Sequence, residues 1–143
     1  MSNRKRTLLR QDGFTLVELL VVLGIIALLA AVVAPQVIRY LGDARSDTAE
    51  VQLKNIESAL ELYYLDTGAY PANERGLRSL IEAPPDTPGW RGPYLKRNSG
   101  LVDPWGKDFA YKLPGEHGPY DLYSLGRDGI SGGGGEDKDL INW

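Results

Sequence analysis

The chain contains no cysteine. That excludes disulfides, thiolate metal sites and cysteine nucleophiles. Histidine is almost absent too: His117 stands alone beside Glu116, in a predicted turn, where a lone histidine reads as solvated. The spacings of metal hydrolases, the Gly-x-Ser-x-Gly nucleophile elbow and phosphate-binding loops are all missing. Acidic residues are plentiful, but nothing in the sequence selects a catalytic pair, and the short soluble part leaves little room for a cleft. The expectation is a protein that is not an enzyme. No basic patch with interleaved aromatics occurs, so no nucleic-acid partner is expected. Internal repeats are absent as well.

What is present is segregated along the 143 residues. Residues 1–13 hold Arg4, Lys5, Arg6 and Arg10 against Asp12. Without that leader, which has four of the 16 basic and one of the 19 acidic residues, the net charge is −6. An apolar block follows from Phe14 to Ala34, interrupted by Thr15, Glu18 and Gly24. About 20 such residues at about 1.5 Å rise cover about 30 Å of hydrocarbon, enough to span a bilayer. The basic side holds its end in the cytoplasm, and the rest of the chain then lies outside.

A cleaved secretory signal is one reading of the block, yet Pro35 follows the small residues at Val32–Ala34 and hinders cleavage there. A plain signal anchor is another. Glu18 argues for more than either, because an acid deep in a bilayer costs roughly 2.5–3.5 kcal/mol and calls for a partner. If the chain is cut between Gly13 and Phe14, the new ammonium lies at the start of a helix with Glu18 four residues on. The carboxylate then sits in the first turn, favourable for the helix dipole, and can pair with its own amine or a neighbour's. The plainer alternative is that Glu18 snorkels to the headgroups.

Gly13-Phe14-Thr15-Leu16-Val17-Glu18 resembles the signature of type IV pilins and pseudopilins. The resemblance implies cleavage after Gly13 by a prepilin peptidase, methylation of Phe14, and pairing of Glu18 with the N-terminus of an adjacent subunit during assembly. It divides the chain into a leader at 1–13, a transmembrane and filament-core helix at 14–35, and a periplasmic domain at 36–143.

Beyond Pro35, which is expected to kink or locally melt the helix, a helical pattern resumes. Ala49, Leu53, Ile56, Leu60 and Tyr63 fall four, three, four and three apart on one stripe, flanked by charges. The helix is expected to end near Leu65, with Gly68 in the left-handed turn. A short helix capped by Asn73 presents Leu77, Leu80 and Ile81, and Pro84-Pro85 stops it. Residues 84–108 read as loop. Two short strands are predicted at Phe109–Leu113 and Tyr120–Leu125, joined by a turn through Pro114–Gly118. The fold class expected is α+β: a long N-terminal helix packed on a small antiparallel sheet.

Tyr70-Pro71, Glu74-x-Gly76-Leu77, Asp103-Pro104-Trp105-Gly106 and Asp121-Leu-Tyr-Ser-Leu-Gly126 narrow the resemblance to the G-type major pseudopilins of type II secretion systems. It runs from Gly13 to Trp143. The absence of the C-terminal disulfide loop usual in type IVa pilins points the same way.

The tail from Ser124 to Trp143 is rich in glycine and acid. Calcium takes six to eight hard oxygens, mixing carboxylates and carbonyls, and Asp128, Asp137 and Asp139 supply carboxylates. Alternation along an extended segment would set Asp137 and Asp139 on one side and Lys138 on the other. The solvated-loop reading stands beside this one on composition alone. The resemblance implies one calcium held by the Leu125 carbonyl, Asp128 and Asp139, with Asp137 a further ligand. Ile141 stands where the family often has glycine.

The resemblance also implies partners: further copies of the chain, minor pseudopilins, an inner-membrane assembly platform and the prepilin peptidase. The site is the bacterial inner membrane, with the N-terminus cytoplasmic and the filament periplasmic. Two alternatives are a type IV pilus or competence pseudopilus subunit, and a signal-anchored periplasmic binding module that keeps its leader.

Overall fold

The computed structural model describes residues 13–96 and 98–143; the basic leader residues Arg4, Lys5, Arg6 and Arg10 lie outside them. One helix, α1, covers Leu16–Thr67. By contacts the chain divides into residues 1–38 and residues 39–143, and the two units are described separately.

In the first unit α1 is apolar on every side, and its large side chains from Leu16 to Ile38 are exposed. Such a surface is not that of a helix folded into its own domain; it requires lipid or other helices around it. Among the described residues, α1 is the one helix long and apolar enough to cross a membrane. Pro35 lies within it without ending it, so the local melting expected there does not occur.

The second unit is built around the remainder of α1. Gly42, Ala49, Leu53, Ile56, Ala59, Leu60 and Tyr63 are its buried residues, the stripe read from the periodicity with additions at small residues. The helix ends at Thr67 because Gly68 turns left-handed, with φ of 80°. Its N–H donates to the Tyr64 carbonyl at 2.8 Å, satisfying one of the orphan acceptors of the last turn.

Three antiparallel strands complete the domain in the order β1 (Ala110–Lys112), β2 (Asp121–Ser124) and β3 (Leu140–Ile141). Tyr111 lies opposite Leu122, and Ser124 opposite Leu140. Phe109, Tyr120 and Leu122 join Leu53, Ile56, Leu60 and Tyr63 in one apolar core, closed by Leu77, Leu80 and Leu101. Fully burying side chains of this size contributes about 1.5–3 kcal/mol each.

The short helix is a 3-10 segment, Gly76–Leu80, and Asn73 does not cap it. Asn73 instead accepts from the Leu113 N–H at 2.9 Å and donates to the Leu113 carbonyl, standing in for a strand partner beyond the end of β1. The tail is also more ordered than a solvated loop: β3 pairs with β2, and the Trp143 ring stacks on His117 with centroids 4.1 Å apart. His117 is therefore packed on one face, and its backbone N–H, like that of Glu116, donates to Asp121.

Candidate functional site

Two sets of residues carry the chemistry, one in each unit. In the first, Thr15 and Glu18 form a reciprocal cap on α1. The Thr15 N–H and hydroxyl both donate to Glu18 Oε2, at 2.9 and 3.0 Å, while the Glu18 N–H donates to Thr15 Oγ1 at 3.2 Å. This is the capping box, threonine with glutamate three residues on, which fixes where the helix begins. Thr15-x-x-Glu18 is a capping-box signal in the sequence, a role beyond the dipole, ion-pair and snorkelling readings of Glu18. Gly13 and Phe14 precede the helix and are exposed.

The second set surrounds the C-terminal loop. The antiparallel register that sets Ser124 against Leu140 makes Leu125 and Asp139 the next facing positions beyond the strand ends. A turn then closes from Leu125, whose carbonyl accepts from the Gly129 N–H at 3.2 Å, and Asp128 lies inside it, accepting from the Ile130 N–H at 3.0 Å. Asp139 Oδ2 accepts from the Gly132 N–H at 2.8 Å and the Ser131 hydroxyl at 3.3 Å. Its Oδ1 is buried without a hydrogen-bond partner among the described residues. An unpaired buried carboxylate oxygen carries a desolvation cost of about 1–3 kcal/mol or more, and it invites a donor or a cation.

Asp137 is differently placed. It lies in a 3-10 segment, Gly135–Asp137, so the extended alternation expected for Asp137 and Asp139 does not run through it. Both its oxygens accept from Arg127, Nε to Oδ1 and Nη2 to Oδ2, each at 2.9 Å. Among the described residues no group of three acidic or histidine side chains converges to hold a metal. Leu125 and Asp139 thus directly adjoin the last paired residues of β2 and β3, Asp128 lies in the turn that starts at Leu125, and Asp137 is committed to Arg127.

Glu136 is a residue the sequence reading passed over. Its Oε1 accepts from the Trp105 indole at 3.1 Å and from Arg45 at 3.4 Å, and its Oε2 from Arg127 at 3.2 Å. The indole hydrogen bond, helped by the two guanidiniums against some burial, holds its carboxyl below the ordinary range. Gly126 lets the backbone of residues 136–138 pass close by: a Cβ there would lie 2.7 Å from the Glu136 carbonyl oxygen, and its φ is 64°.

A long N-terminal helix, apolar in its first part, with a small antiparallel sheet packed on its later part, defines a pilin-like subunit. The family profile described as "Type II secretion system (T2SS), protein G" matches residues 36–143, and that of the prokaryotic N-terminal methylation motif matches residues 8–34. The chain is 44% identical over 138 residues to type II secretion system core protein G of Pseudomonas aeruginosa, covering 94% of this chain and 96% of that relative. It is 39% identical to the protein of the same description in Vibrio cholerae, over 94% and 92% of the two chains. The crystal structure of the major pseudopilin from the type 2 secretion system of enterohaemorrhagic Escherichia coli superposes with a TM-score of 0.58. The sequences are 36% identical, and the match covers 70% of this chain and 87% of that one. The chain belongs to the type II secretion system protein G family.

Proposed function

We propose that this chain is the structural subunit that polymerises into the periplasmic pseudopilus of a type II secretion system and so supports the export of folded proteins. The observation that carries the reading is the exposed apolar surface of α1 before Ile38, joined in sequence to a small domain with its own core. A surface of that kind is stable in lipid before assembly and against the same segment of other copies afterwards. Membership of the protein G family supports the same reading. Minor pseudopilins, an inner-membrane platform and a prepilin peptidase are its proposed partners, with the N-terminus cytoplasmic and the domain periplasmic.

Maturation is proposed between Gly13 and Phe14, with methylation of the Phe14 amine. Glu18 then offers its carboxylate to the Phe14 ammonium of a neighbouring copy. Both bonds from Thr15 fall on Oε2, which leaves Oε1 for that partner. The capping box holds the carboxylate at the helix start, where a charge-assisted pair would otherwise cost side-chain entropy.

Calcium is proposed for the C-terminal loop. The donor set fits a hard cation: the unpaired buried Oδ1 of Asp139, the Asp128 carboxylate and the second lone pair of the Leu125 carbonyl. Asp137 is a further ligand once free of Arg127. The ion would neutralise the aspartates; the protein's own residues provide the turn and the strand register that hold them.

The test is deletion of the gene with complementation. The intact chain restores both export of the host's secreted proteins and a methylated Phe14 terminus by mass spectrometry. Normal export in the deletion strain, or a mature protein that keeps residues 1–13, would overturn the reading.

A further inference from the structure

Arg127 lies between Leu125 and Asp128, two residues of the proposed calcium site. Its side chain turns toward the far strand of the loop. Nε and Nη2 take both oxygens of Asp137 at 2.9 Å, Nη1 takes Glu136 at 3.2 Å, and the Arg127 backbone N–H donates to the Glu136 carbonyl at 2.8 Å. A guanidinium fork on a carboxylate occupies both in-plane lone-pair directions, the same directions a metal ion uses. A divalent cation at that carboxylate would also meet the guanidinium's positive charge. The fork and the cation therefore exclude one another at Asp137.

We propose that Arg127 is a positioning residue that withholds Asp137 from the cation site of the C-terminal loop, and that calcium must displace it to recruit that carboxylate. The inference rests on the calcium reading of the loop. Asp128, Asp139 and the Leu125 carbonyl are the part of the site not held by a guanidinium: Asp128 and Leu125 accept only backbone N–H groups of the turn, and Asp139 Oδ1 has no hydrogen-bond partner among the described residues. Asp137 is the part held in reserve. Glu136 remains anchored through the exchange, since Trp105 and Arg45 hold it independently of Arg127. Arg127 thus sets the calcium concentration at which the loop changes partner, and a chain without it binds the ion more tightly.

The experiment is calorimetric titration of calcium chloride into the full chain in detergent micelles after removal of divalent ions, for wild type, Arg127→Gln, Arg127→Gln/Asp137→Asn and Asp139→Asn. Arg127→Gln is expected to tighten Kd about fivefold, the size of one partly exposed ion pair. Adding Asp137→Asn is expected to remove that gain, and Asp139→Asn to abolish binding. In the calcium-free protein, amide exchange over residues 132–139 is expected to accelerate in Arg127→Gln. Wild-type binding with an unchanged or weaker Kd in Arg127→Gln overturns the proposal and leaves the calcium reading standing. A gain that survives Asp137→Asn, or exchange that ignores Arg127→Gln, overturns it equally. Failure of wild type to bind calcium overturns the calcium reading itself, and this proposal with it.

Discussion

Glu136 packs against Gly42 of α1 so closely that a Cβ on the glycine would lie 2.9 Å from the glutamate Cγ and Cδ. The C-terminal loop thereby meets the helix at a residue with no side chain. Glu136 has little freedom to retreat, because Trp105, Arg45 and Arg127 hold its two oxygens. Two effects of Gly42→Ala then oppose each other. Alanine favours the helix by about 1 kcal/mol, while overpacking typically costs about 1–3 kcal/mol. Gly42→Ala is expected to lower the melting temperature of the wild-type chain but to raise it in a Glu136→Ala background. A gain in both backgrounds would show that Glu136 is not fixed there.

At the other end of α1, Thr15→Ala and Glu18→Ala separate capping from assembly. Thr15→Ala removes a cap worth about 1 kcal/mol and leaves the acid in place. It is expected to reduce filament yield modestly. Glu18→Ala removes the acid from an apolar segment, so membrane insertion is expected to be normal while filaments and secretion are lost. Wild-type filament yield from Glu18→Ala, measured on sheared fractions by immunoblot, would remove its assembly role.

The elements legible in the sequence were those that repeat a local period. The helix stripe from Ala49 to Tyr63, the C-terminal end of α1 to within two residues and the first two strands all follow from spacing and turn residues. β3 was missed because Leu140–Ile141 is too short to show alternation. Asn73 was misassigned because its partner, Leu113, is 40 residues away and no local rule reports on it. The tail chemistry divides in the same way. Acid and glycine content marked the loop, but the Arg127 fork on Asp137 and the seat of Glu136 depend on how the loop folds back, which only tertiary structure fixes.

Acid should loosen the loop through Glu136. Its carboxyl titrates below the ordinary 4.5 because the Trp105 indole and two guanidiniums favour the charged form. A carboxyl with a depressed folded pKa contributes stability that is complete above the unfolded value and is lost as pH falls through the folded one. The melting temperature is therefore expected to be level with respect to this group above about pH 5 and to fall below about pH 4.5. Glu136→Gln keeps an acceptor for the indole but has no charge to lose. Its melting temperature should start lower at neutral pH and fall less steeply with acid. Parallel curves for the two proteins between pH 3 and 6 would assign the acid sensitivity elsewhere.

Calcium removal tests the loop as a whole. Asp139 Oδ1 is buried and has no hydrogen-bond partner among the described residues, so a cation there would remove a desolvation penalty. Binding to the folded state alone stabilises it by about 2.7 kcal/mol at a hundredfold excess over Kd. The full chain in detergent is expected to lose thermal stability on chelation and to regain it with calcium. Magnesium should restore little, because it demands tighter octahedral geometry and gives up its waters reluctantly. Asp128→Ala should abolish the response, since the Leu125–Gly129 turn would then supply carbonyls without a charge to attract the ion. Asp139→Asn should abolish it by a different route. The amide can offer its oxygen or its NH2 toward the buried Oδ1 position, but no negative charge, so the melting temperature should become independent of both chelator and calcium. Lys138→Ala, next to Asp139 in sequence but carrying no oxygen donor on its side chain, should leave the calcium response intact. A melting temperature that ignores chelation in the wild-type chain would mean that the buried oxygen is satisfied by other means and that the loop holds no ion.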